Sequence, residues 1–192
     1  VTSPSPPVQP VRPWVLLDRD GTLNREVEYL ARPEQLELLP GVGEALRQLQ
    51  ALGCRLIVVT NQSGIARGYF TPADLDAIHE RLRTLLAAEN VLLDGLFHCP
   101  HSPTDACRCR KPGTALFEQA VATLGEMPTE RFMVGDRQSD LQFGRNINAR
   151  PILLRTGYGA NQSAATESLA DAVCEDLLAA SVWIANTLAE QP

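Results

Sequence analysis

The stretch Trp14-Val15-Leu16-Leu17-Asp18-Arg19-Asp20-Gly21-Thr22 decides how this chain is read. An apolar run with no polar alternation is the pattern of a strand buried on both faces of a parallel sheet. It ends in two carboxylates one residue apart. Side chains alternate along a strand, so Asp18 and Asp20 share a face where strand geometry persists. Gly21 then allows a sharp turn. Two like charges held that close repel, and a divalent cation between them, or a proton on one, relieves the repulsion. A plain turn in which aspartates bond their own backbone is the other reading of the pair. A calcium loop of the EF-hand kind is excluded, because Thr22 and Leu23 stand where it needs a fifth-position ligand and a sixth-position glycine.

The totals narrow the class. The 192 residues suit one domain, expected at 14–192 behind a disordered, Pro-rich tail at 1–13. With 44% hydrophobic and 21% charged residues the chain has material for a real core. A net charge of −6 argues against a general nucleic-acid binder. No apolar run approaches the ~20 residues of a membrane span. No signal-peptide pattern is visible, so the expected setting is the cytoplasm, with no membrane partner. Five cysteines, an odd number, argue against a disulfide framework.

Outward from the first strand, the pattern alternates. Val42 to Leu52 reads as a helix closed by Gly53, and Arg55 to Thr60 as a second buried strand. Asn61 to Gly68 is a polar loop, and Thr71-Pro72 opens a helix that runs to about Ala88. Val91 to Phe97 suggests a third strand, followed by a compact loop at 98–113 and a helix carrying Leu116, Phe117, Ala120, Val121 and Leu124. Phe132-Met133-Val134 is a strand ending at Gly135-Asp136. A helix from about Ser139 to Asn146 and a fifth strand at Ile152-Leu153-Leu154 follow. A last amphipathic helix groups Val173, Leu177, Leu178, Ile184 and Leu188. Alternation of this kind predicts an α/β fold: a Rossmann-like parallel sheet with helices on both faces. Ligands of such sheets bind beyond the carboxyl ends of the strands.

That edge is where four separated pieces meet: Asp18 with Asp20, Thr60-Asn61, Arg110-Lys111-Pro112, and Gly135-Asp136 with Asp140 four residues on. Each alone has an ordinary explanation, as a strand threonine, a solvated lysine or a turn aspartate. Together they place carboxylates, a hydroxyl and a cation at one site. The set resembles, in order and over about residues 14 to 157, the four motifs of the haloacid dehalogenase (HAD) superfamily of aspartyl-phosphate phosphatases. The resemblance implies a HAD-like fold with Asp18 as nucleophile and Asp20 as acid/base. It also implies a Mg²⁺ held by Asp18, Asp136 and Asp20, the last through its backbone carbonyl. Thr60 and Lys111 would help neutralise the transferring phosphoryl group, the demand such chemistry makes on a protein.

Cys99, His101, Cys107 and Cys109 form a second constellation, a Cys₃His set within eleven residues. This is a common composition for structural zinc, and four protein ligands leave no open position. His98 is a competing ligand, and a redox pair at Cys107 and Cys109 is the other reading. A zinc loop just before Arg110-Lys111 resembles the subgroup that contains heptose bisphosphate and histidinol-phosphate phosphatases. Thr60-Asn61-Gln62-Ser63-Gly64-Ile65-Ala66-Arg67-Gly68 is similar to the heptose enzymes. Two positions depart from that pattern: Arg137 replaces a lysine, and Gly113-Thr114 follows Pro112.

With no insertion of domain size, no separate cap domain is expected, and short loops must supply specificity. The resemblance assigns Arg110 to substrate recognition and Glu26, Val27, Glu28 and Tyr29 to the sugar. Asn61, Gln62, Ser63, Arg67 and Arg137 complete the expected contacts, and Arg67, Arg108 and Arg110 suit a second phosphate. The expected partner is a small sugar bisphosphate, a heptose 1,7-bisphosphate losing its 7-phosphate, turned over by a monomer. Histidinol phosphate is the alternative, which Glu26 and Glu28 keep open. Outside this class stand a phospho-acceptor signalling domain, a nucleic-acid end phosphatase and a silent zinc-stapled binding module.

Overall fold

The computed structural model describes residues 12–190. The tail expected at 1–13 lies outside the described residues apart from Arg12 and Pro13. Six parallel strands form one sheet: β1 (Trp14–Leu17), β2 (Arg55–Asn61), β3 (Gly95–Cys99), β4 (Arg131–Gly135), β5 (Arg150–Leu154) and β6 (Ala172–Cys174). Their order is β3-β2-β1-β4-β5-β6. The strand order reverses direction between β1 and β4, which pair with Trp14 opposite Arg131 and Leu17 opposite Val134. In open parallel sheets ligands bind at such a switch point.

The helices are α1 (Val42–Ala51), α2 (Pro72–Ala88), α3 (Ala115–Leu124), α4 (Gln138–Asn146), the single turn α5 (Ala164–Glu167) and α6 (Leu177–Ala189). Strand periodicity sorts the core into two layers. Val15, Leu17, Leu56, Val58, Phe132 and Val134 face α1, α2 and α6. Trp14, Leu16, Ile57, Val59 and Met133 face α3 and α4. Both sheet faces are therefore covered, as the unbroken apolar strands require. No inserted domain separates these elements among the described residues, and none of their helices is long and apolar enough to cross a membrane.

Local chemistry sets the ends. Thr71 caps α2 by accepting the Asp74 N–H at 3.2 Å, and the Asp74 carboxylate accepts the Thr71 N–H at 2.8 Å. This reciprocal capping box and the following Pro72 start the helix as expected. Gly53, at φ +79°, closes the turn after α1.

Two expectations need correction. The third strand begins at Gly95, not Val91. Asn90 turns left-handed at φ 59°, and Asp94 is held out of the strand by accepting the Leu56 N–H at 2.9 Å. The strand continues instead to Cys99. Val173 belongs to β6 rather than to the last helix, which starts four residues later at Leu177 behind the Asp176 N-cap.

Candidate active site

The residues at the carboxyl ends of β1, β2 and β4 enclose a pocket of about 460 Å³. Asp18 and Asp20 come from the end of β1. Glu26, Val27, Glu28 and Tyr29 follow in the loop after it. Thr60, Asn61, Gln62, Ser63 and Arg67 come from the end of β2 and its loop, and Arg110 and Lys111 from the loop after β3. Arg137 stands at the start of α4. All of these line the pocket. Asp136 is fully buried and is not among the residues that line the pocket.

Lys111 is the buried cation at the centre. Its Nζ lies 2.8 Å from Asp18 Oδ1 and 2.7 Å from Asp140 Oδ1. Burial works against the ammonium form, but the charges of Asp140 and Asp18 outweigh it and raise its pKa. Asn61 fixes the lysine backbone, accepting the Lys111 N–H at 2.9 Å and donating Nδ2–H to the Lys111 carbonyl at 3.2 Å. Its side chain, expected at the substrate, is therefore spent on positioning Lys111.

Oxygens of Asp18, Asp136 and Asp140 gather within 4.8 Å of one another. Burial raises the Asp18 carboxyl to about 6, with the Lys111 charge acting against the shift. Burial, then repulsion from Asp18 and Asp140, raises Asp136 to about 8. Asp136 Oδ2 accepts the Tyr158 N–H at 2.7 Å, while its Oδ1 is buried with no partner. An orphaned carboxylate oxygen among crowded carboxylates is a fitting donor for a hard divalent cation. The backbone leaves the Asp136 carboxylate no spare room: a Cβ at Gly21 (φ +77°) or Gly157 would collide with it.

Asp20 is held apart from that cluster. Its Oδ1 accepts from Arg19 Nε at 3.2 Å, Arg19 Nη2 at 3.0 Å and Asn24 Nδ2 at 2.9 Å. Its Oδ2 accepts from Arg19 Nη2 at 2.7 Å and Gln62 Nε2 at 2.9 Å. Burial alone would raise its pKa, but the Arg19 charge and these bonds outweigh it and lower it. The Asp20 carboxylate is thus no member of the metal-type cluster. The expected ligand from this residue is its backbone carbonyl, which these side-chain bonds leave aside.

The loop after β3 gathers the second cluster. Cys99, His101, Cys107 and Cys109 bring their donor atoms together within 4.8 Å. The Cys99–Cys107 and Cys99–Cys109 sulfurs are 3.7 and 3.0 Å apart, and His101 Nδ1 is 3.1 Å from Cys109 Sγ. A tetrahedral zinc with bonds of ~2.3 Å to sulfur asks for sulfurs roughly 3.8 Å apart. The Cys99–Cys107 pair meets this, and the closer Cys99–Cys109 pair would have to open by several tenths of an ångström to admit the ion. His98 stays outside the cluster, its ring 5.5 Å from that of His79.

The sequence missed several residues. Tyr158 and Ser139 line the pocket, and the Arg137 guanidinium lies 3.8 Å over the Tyr158 ring while bonding Glu26 at 3.2 Å. Arg19 is fully buried, behind Asp20. Arg108, expected near a second phosphate, is 77% exposed at its side chain and pairs with Glu118 at 2.8 Å. Its nearness in sequence to Arg110 concealed that.

A 3-2-1-4-5-6 parallel sheet with this carboxylate and lysine floor defines a phosphoryl-transfer hydrolase of the haloacid dehalogenase type. Residues 108–180 match a family model described as HAD-hydrolase-like. The chain is 40% identical over 172 residues to the D-glycero-beta-D-manno-heptose-1,7-bisphosphate 7-phosphatase of Haemophilus ducreyi, covering 85% of this chain and 93% of that one. It is 36% identical over 189 residues to the Escherichia coli K12 protein of the same name, covering 94% and 92%. A crystal structure of D,D-heptose 1,7-bisphosphate phosphatase from B. bronchiseptica, complexed with magnesium and phosphate, superposes with a TM-score of 0.81 at 32% identity, covering 91% of this chain and 99% of that one. The chain belongs to the heptose bisphosphate phosphatase family of HAD-like hydrolases.

Proposed function

We propose that this chain is a phosphomonoesterase that removes the 7-phosphate of D-glycero-D-manno-heptose 1,7-bisphosphate through an aspartyl phosphate on Asp18. One observation carries the reading: the Lys111 ammonium bridges Asp18 and Asp140, and Asp18 clusters with Asp136 and Asp140 in a pocket that Asp20 also lines. The names of relatives 36–40% identical over most of the chain support the substrate.

The Asp18 carboxylate attacks phosphorus and the P–O bond to the sugar breaks. Asp20 is held as a carboxylate by Arg19 in the free protein. As the acid it takes up a proton on substrate binding, gives it to the departing alkoxide, then takes one from the water that hydrolyses the acyl phosphate. Lys111 and the Thr60 hydroxyl offset charge on the phosphoryl oxygens, the main task in a loose phosphoryl-transfer transition state. Asp18, Asp136 and the Asp20 backbone carbonyl would hold Mg²⁺, whose charge when bound adds to that neutralisation. Cys99, His101, Cys107 and Cys109 would hold one structural zinc and so keep Arg110 and Lys111 in place.

Arg110 and Arg67 supply the cationic pocket wall for the second phosphate. Histidinol phosphate would need carboxylates for its amine, and Glu26 is already engaged by Arg137. Competition between the heptose bisphosphate and histidinol phosphate under the same Mg²⁺ tests the choice. The expected order of kcat/KM favours the bisphosphate, and equal values overturn it. Arg110→Ala should hurt the bisphosphate far more than a monophosphate analogue. Absence of any phosphatase turnover would favour the silent binding module.

A further inference from the structure

Arg19 stands between the two carboxylates that end the first strand, and the chemistry above gives it no task. Strand alternation sends position 19 to the face opposite Asp18 and Asp20, where the core is. The side chain is indeed fully buried. Yet its guanidinium reaches the neighbouring Asp20, touching both oxygens at 2.7–3.2 Å. The backbone makes this possible. The Arg19 carbonyl accepts the N–H groups of Thr22, Leu23 and Asn24 at 3.3, 2.8 and 3.1 Å, which curls the chain tightly after Gly21. Asn24 Nδ2 then bonds Asp20 from within the same curl.

A buried guanidinium needs a countercharge, and Asp20 is the ion-pair partner of Arg19 among the described residues. The planar fork also fixes the plane of the carboxylate it holds, which a lysine point charge does not. The remaining donor differs in kind. Gln62 lines the pocket, and its Nε2 bonds both Asp20 Oδ2 at 2.9 Å and Thr60 Oγ1 at 2.8 Å. It is the member of the grip that a bound substrate can reach.

We propose that Arg19 is a positioning residue for Asp20: its buried fork sets the carboxylate plane from behind, leaving the Gln62 side to exchange with substrate. The inference rests on the reading of Asp20 as the acid. In the first step the Asp20 O–H proton passes to the leaving alkoxide as the P–O bond breaks and the Asp18–phosphorus bond forms. The resulting carboxylate stays in the fork.

The test uses the full chain with Mg²⁺, first-turnover kinetics and two probes. β-Glycerophosphate has an alkoxide leaving group that needs a proton, and p-nitrophenyl phosphate has one that does not. Arg19→Lys should slow alcohol release from β-glycerophosphate about 30-fold, within the range that general-acid catalysis supplies, and the p-nitrophenolate burst less than about threefold. In an Asp20→Asn background the same change should cost less than about twofold on either probe, because a residue acting through Asp20 has nothing left to position. Equal losses on both probes, or losses that multiply in the double variant, overturn the proposal. Arg19→Gln is read in the same way, and collapse of both variants on unfolding assigns Arg19 to the fold instead. If Asp20→Asn alone leaves β-glycerophosphate release intact, the acid reading itself fails. If Asp20→Asn is crippled and Arg19→Lys is not, only the inference fails.

Discussion

Asn61 holds the backbone of Lys111 from both sides of one residue, accepting its N–H at 2.9 Å and donating to its carbonyl at 3.2 Å. A β2 side chain thereby positions a cation from a loop fifty residues away. Asn61→Ala removes both bonds and leaves Lys111 held by its carboxylates alone. At about 1 kcal/mol per bond, kcat should fall roughly tenfold and stability by about 1–2 kcal/mol. Steady-state kinetics and urea unfolding check this, and an unchanged kcat would show that the clamp is idle.

Asp18→Asn should cut turnover by about 10⁴-fold or more, on the order expected when a nucleophile is removed. The same change takes one charge from a crowded carboxylate cluster. The metal-free variant should therefore melt at or above the parent temperature. Retained activity would sink the aspartyl-phosphate reading, and a large loss of stability would contradict the electrostatics.

Metal-free stability should depend on pH in a definite direction. The folded protein holds Asp18 at about 6 and Asp136 at about 8. In the unfolded chain both ionise near pH 4. Between about pH 4 and 8 the folded state binds more protons, so its stability falls as pH rises through that window. In buffer without Mg²⁺ or chelator the melting temperature should drop from pH 5 to pH 8, and Asp136→Asn should flatten the drop. Mg²⁺ should restore more at pH 8 than at pH 5, where it competes with protons. A flat Mg²⁺-free profile would refute the assignment.

Elemental analysis should find about one zinc per chain, the content of a single Cys₃His site. Cys107→Ser should lower that content and raise proteolytic sensitivity within residues 100–110. Full zinc retention would move the site off these four ligands.

The strands of the core were legible because β1, β2, β4 and β5 are continuous apolar runs, and the capping chemistry of Thr71 marked α2 to the residue. Failures had local causes. Val91 is buried like a strand residue, but it packs from a loop set by the left-handed Asn90. Val173 lies four residues before Leu177, a helical spacing, although a three-residue edge strand intervenes. At the site, the motif residues stood next to strand ends and were easily placed. Tyr158 was not, because its link to Asp136 spans 22 residues with no pattern between them. Arg19 was overlooked because a charge at a core-facing strand position makes sense only once its ion pair with Asp20 is seen.

The reversal of strand order has a consequence for how the protein is made. β1 is complete at Leu17, but its neighbour β4 begins only at Arg131. During synthesis the strand that carries Asp18 can therefore find β2 long before β4 exists to cover its other edge. Asp136 and Asp140 arrive with β4 and α4, so the carboxylates are not crowded together until that edge is closed. The repulsive part of the site thus comes together only after the β3-β2-β1 half-sheet can form.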